Sequence, residues 1–101
     1  MEIKRNDILV EQFGSTMILY NFFKVLSVKG KTVSIYPLES KSSGWIGFMQ
    51  NEVKPIDTNV YWQKNVITKR LNKDNELNMG KYRGKLAKYD EHRRYIENHA
   101  D

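Results

Sequence analysis

The stretch STMILYNFFKVLSVKGKTVSIYPLE, residues 15–39, decides the fold. It is dense in β-branched and aromatic residues, the types that fit a pleated, half-buried surface. Gly30 lies in VKGKT (28–32), between two such runs, and marks a tight hairpin turn. Before the turn, Leu19, Phe23 and Val25 share one face of a strand, and Phe22, Leu26 and Val28 share the other. After it, Val33 and Ile35 share a face, and Pro37 is expected to end or bulge the strand. A strand apolar on both faces predicts a long, bent element shared by two halves of a barrel.

On the N-terminal side, DILVEQFG (7–14) reads as a first strand ending at Gly14. Ile8 and Val10 fall on one side of it, Leu9 and Glu11 on the other. On the C-terminal side, SKSSG (40–44) reads as a polar loop, WIGFM (45–49) follows, and Pro55 stops any strand in NEVKPID (51–57). Residues 58–72 carry two signals. Val60, Lys64, Ile67 and Leu71 recur at helical spacing, with Asp57 or Thr58 as a cap, but Val66, Ile67 and Thr68 are a β-branched run that favours a strand. KDNELN (73–78) is a turn-rich connection, and residues 79–89 form the last strand. The tail, residues 90–101, can form one or two helical turns from Asp90 once docked. The expectation is one domain over residues 1–101. It is all-β, a small SH3-like or OB-like barrel of five to six strands, with a short C-terminal helix as the reading of the tail.

The chain has 101 residues, enough for one modest core. A hydrophobic fraction of 40% is too high for a disordered chain. No apolar run approaches the ~20 residues of a membrane span. The opening MEIKRND has no apolar signal core behind its charges, which points to the cytoplasm. Cysteine is absent, so packing alone must hold the domain. The net charge of +5 is unevenly spread: residues 62–94 hold ten Lys/Arg against four Asp/Glu. Such a segment attracts a polyanion, although a lysine-rich surface also serves solubility alone.

In the central hairpin the chain resembles a group of small proteins encoded by phages and other mobile elements of Gram-positive bacteria. The residues that carry the likeness are Asp7-Ile8, the aromatic-glycine step Phe13-Gly14, and the run Phe22, Phe23, Val25, Val28, Lys31, Thr32, Val33. Val53 with Pro55, and LAKYD (86–90), fit later parts of the pattern. It departs from the pattern at Ser15, Thr16 and Leu19, where Tyr, Gln and Asn are usual, so no polar site is carried over there. The resemblance covers about two-thirds of the chain and implies a phage-type origin and a small β-barrel, not a particular activity.

No constellation for catalysis stands out. His92 and His99 are seven apart, which fits no zinc pattern, and Ser15, Ser42 and Ser43 have no base at a recognisable spacing. GKYRG (80–84) lacks the spacing of a phosphate loop. Neither a metal nor a cofactor is expected, and the chain reads as a non-enzymatic binding protein. Lys81, Arg83 and Lys85 alternate along the last strand, about 6–7 Å apart on one face. Lys64 or Arg70 on a neighbouring strand widens that stripe, and Tyr61, Trp62 and Tyr82 supply flat rings for stacking on unpaired bases. Charging an edge strand against unwanted pairing is the plainer reading of the same lysines.

This leads to three expected functions. The first is a basic, aromatic face that engages nucleic acid or a nucleoprotein complex. The second, implied by a phage-type origin, is an inhibitor of host defence, an anti-CRISPR or anti-restriction protein. It would bury Trp45, Phe48 and Met49 in its target. The third is a small accessory enzyme acting on nucleotides or nucleic acid.

Overall fold

A computed structural model describes residues 2–14, 17–47, 50–58, 61–78 and 86–98, with backbone alone for residues 43 and 45–47. Among the described residues eight strands arise in chain order: β1 Ile8–Phe13, β2 Leu19–Lys29, β3 Thr32–Leu38, β4 Ser40–Gly47, β5 Gln50–Pro55, β6 Ile67–Arg70, β7 Ala87–Lys88 and β8 Tyr95–Asn98. They build a five-stranded antiparallel sheet, β6-β3-β2-β1-β7, and a three-stranded one, β4-β5-β8. Ile18 and Asn98 exchange two backbone hydrogen bonds, of 3.0 and 2.9 Å, and stitch the two sheets together. The fold is all-β and barrel-like, with eight strands among the described residues against the five to six expected.

The hairpin forms where the sequence placed it. Lys29 pairs with Thr32 around Gly30, whose φ of 59° suits the first position of a two-residue turn. Both faces of β2 are buried, each by a different neighbour. Phe23 and Val25 join Leu9, Val33 and Ile35 on one face, and Ile3, Leu77 and Leu86 cover them. Phe22 joins Val10, Tyr36 and Leu38 on the other, against Val53 and Tyr95 of the smaller sheet. The chain is therefore three layers deep at β2, which is why its apolar residues do not alternate.

Several expectations are corrected. A bulge at Leu26 breaks the register between Val25 and Ser27, so Val28 falls opposite core residue Val33 and leaves the Phe22 face. Pro37 does not end β3. The Val25 N–H bonds Asp7 on the β1 side, so alternation turns the missing N–H of Pro37, opposite Phe23, toward the outer edge. There β6 has already ended, at the Ile67–Ile35 pair. SKSSG is not a loop: it opens β4, which pairs with β5 through bulges beside Gly44 and Ile46. Residues 58–72 divide, with a short 3-10 turn at Gln63–Asn65 before strand β6. The tail is not helical where described. Asp90 makes one turn, accepting from the backbone N–H of Arg93, and the chain then extends as β8 along β5.

β6 and β7 are the two outer strands of the larger sheet. Three strands separate Arg70 from the segment ending at Lys88, a distance of roughly 19 Å. Arg70 and Lys88 thus lie on opposite outer strands, while Lys81, Arg83 and Lys85, the stripe that Arg70 was expected to widen, lie outside the described residues.

Candidate nucleic-acid interface

The register of β2, β3 and β6 sorts their side chains by face. Val25, Ile35 and Ile67 form a rung that points into the core, as does Val33 beside it. The residues between them point the other way, toward the face that the smaller sheet covers only in part. Ser27, Ser34 and Thr68 form one rung there, and Lys29, Thr32 and Arg70 form the next. The first is half-buried to exposed, and the second is exposed throughout. Lys31 caps the same end from the hairpin turn, and its carbonyl accepts from the Leu71 N–H at 2.8 Å. Among the described residues, no acidic side chain pairs with Lys29, Lys31 or Arg70.

Alternation along β3 continues this face from Thr32 and Ser34 to Tyr36. The Tyr36 ring meets Tyr61 edge-on, with centroids 5.2 Å apart, and its hydroxyl accepts from the Trp62 backbone N–H at 3.3 Å. These contacts fix residues 61–62 at the entry to the 3-10 turn, which no side-chain cap holds. Trp62 is 64% exposed, the most exposed large hydrophobic residue among those described. Lys64, on the turn, is exposed beside it.

Under the aromatic end lies a buried cation. Lys24, opposite Tyr36 on β2, points its Nζ to Asp57 Oδ1 at 2.7 Å and sits 5.9 Å from the centre of the Tyr61 ring. The hydrogen bond that Lys24 donates to Asp57 holds the Lys24 pKa above the ordinary lysine value, outweighing the burial that opposes charge; the Tyr61 hydroxyl adds to the rise. This contact ties residues 57 and 61 to β2. A cleft of about 680 Å³ opens alongside, with Tyr36, Leu38, Glu39, Ile56, Asp57, Trp62 and Lys64 among the residues that line it.

The structure thus gathers Tyr61, Trp62, Lys64 and Arg70 around one sheet face. Of the remaining expected site residues, Lys81, Tyr82, Arg83 and Lys85 lie outside the described residues, as do Phe48 and Met49. Trp45 is described only as backbone, in β4 opposite Asn51. The sequence reading missed Lys29, the hydroxyl rung, Glu39 and Tyr36. Their signal was present in KTVSIY: if Val33 and Ile35 face the core, then Thr32, Ser34 and Tyr36 face away.

Among the described residues, no group of three His, Asp or Glu is placed to hold a metal ion. No described helix is long and apolar enough to cross a membrane. No family model matches the chain, and the searches of curated proteins and of solved structures return no match.

Proposed function

We propose that this protein is a non-enzymatic binder of nucleic acid, free or within a nucleoprotein complex, and that it uses the outer face of β2, β3 and β6. One observation carries the reading: exposed rings, a row of hydroxyls and cations that no described acidic side chain pairs lie in sequence along a single face. Each type suits a different part of a nucleic-acid strand. Lys29, Lys31 and Arg70 suit phosphates, the Ser and Thr hydroxyls donate to phosphate and sugar oxygens, and Trp62 offers a plane for a base. Pairing of β2, β3 and β6 fixes the backbone under Lys29, Arg70 and the hydroxyls before any partner arrives, which limits the ordering cost of binding.

The test is a titration of labelled oligonucleotides followed by anisotropy at several salt concentrations. Binding at low salt is expected, weakening with a log–log slope of about −2 if three phosphates are contacted by a single strand. Lys29→Glu combined with Arg70→Glu should abolish it while the thermal melt stays unchanged. Indifference of the wild-type protein to both single-stranded and duplex DNA and RNA at low salt would remove this reading.

A further inference from the structure

We propose that the cleft beside Trp62 takes one unpaired base bearing an exocyclic amine, cytosine above all, whose N–H donates to the Glu39 carboxylate. The inference rests on the nucleic-acid reading and adds a base preference to it.

The argument starts from the charges lining the cleft. Glu39 is exposed at the end of β3, and among the described residues its carboxylate has neither a hydrogen-bond donor nor a cation. Asp57 accepts from Lys24 Nζ at Oδ1, and its side chain remains 57% exposed. With Asp57 paired to Lys24 and the charge of Lys64 set against that of Glu39, the cleft has no cationic surplus to hold the backbone of a strand. The backbone is instead drawn to Lys29, Lys31 and Arg70, at the far end of β3. From Thr32 to Glu39 the strand runs roughly 23 Å, at 3.3 Å per residue, room for several stretched nucleotides.

The cleft walls then select the group that enters. Trp62, Tyr36, Leu38 and Ile56 are flat or apolar and suit the faces of a base. The acceptors on the wall suit the edge of a base that offers N–H donors. A carboxylate accepts from the cytosine 4-amino group, whereas uracil and thymine present a carbonyl there, and two acceptors would face each other with no proton between them. A cationic side chain from a protein is the rival occupant. It is disfavoured by Lys64, which also lines the cleft, and by the net charge of +5.

Cytosine and uracil differ in ring size by nothing, so an oligodeoxycytidylate and an oligodeoxyuridylate of roughly eight nucleotides make a clean pair of probes. Anisotropy titrations at pH 7.5 and low salt should show the cytidylate binding about tenfold more tightly. In Glu39→Gln, whose amide can both donate and accept, the ratio should fall toward one without weakening the uridylate. Glu39 is exposed, and its structural bond, from the Ile56 N–H at 2.7 Å, uses the backbone carbonyl, so the variant keeps the fold. Equal affinities for the two oligonucleotides in the wild type would overturn the base preference and leave the nucleic-acid reading standing. Failure of both to bind would overturn the two together.

Discussion

Lys24 occupies a position where a lysine is costly, on the inter-sheet face of β2 with 7% of its side chain exposed. Asp57 offsets that cost, and removing it leaves a buried charge without a counterion. Asp57→Asn should lower stability by about 2 kcal/mol at neutral pH, measured by urea unfolding. The pH dependence has a definite sign. The Lys24 pKa is raised in the folded chain, so its contribution is complete below the ordinary lysine value and is lost as pH climbs through the raised one. The gap between wild type and variant should therefore be constant from neutral pH to about pH 10 and narrow above it. Trp62 presents the opposite case. At 64% exposure it contributes little to the core, so Trp62→Ala should leave the melt intact yet weaken oligonucleotide binding by about tenfold, the loss of one stacked base. Gly14 has φ of 109°, and a Cβ there would collide with the Met17 carbonyl oxygen. Gly14→Ala should destabilise by about 1–3 kcal/mol in the same urea assay.

β8 shows how an element can be invisible to its own sequence. Asp90 accepts from the backbone N–H of His92 through its carboxylate and from that of Arg93 through its carbonyl, which is how a helix begins. The helix stops there because Tyr95 finds a better place. It is 3% exposed, edge-on to Tyr20 at 5.3 Å and to Phe22 at 5.9 Å, and its strand completes the open edge of β5. No local pattern announces a partner more than forty residues away. Residues 58–72 were ambiguous for a related reason. Ile67 and Leu71 are four apart, and residues four apart share a face in a helix and in a strand alike. Both pack on the core, and pairing of Ile67 with Ile35 settles the element as a strand. The hairpin, by contrast, was legible because Gly30 and the β-branched runs act locally. Tyr95→Ala should cost about 3–5 kcal/mol. It should also abolish hydrogen-exchange protection along β5 and at Asn98 before it affects β2.

At the scale of the whole molecule, stability depends on covering the larger sheet twice. One cover is another sheet, but the other is irregular chain: Ile3, Leu77 and Leu86 arrive from three separate segments. Leu77 is fully buried although it lies in no strand. Leu77→Ala should cost about 2–5 kcal/mol, as much as a substitution within a strand, and urea unfolding checks this. The sequence exposed the apolar surplus of β2 but not its cause, since a bent barrel strand and a doubly covered sheet look alike in one dimension. The candidate interface was half legible for the same reason. Its aromatic residues and Arg70 could be named, but which strands stand beside one another comes from long-range pairing.

The reciprocal pair between Ile18 and Asn98 joins residues eighty positions apart in the chain. During synthesis, the ribosome must release residue 98 before the seam can form. Until then the edge of β5 stays unpaired and able to recruit a stray strand. Nascent chains stalled short of Tyr95 should consequently be the form that chaperones hold and that aggregates most readily.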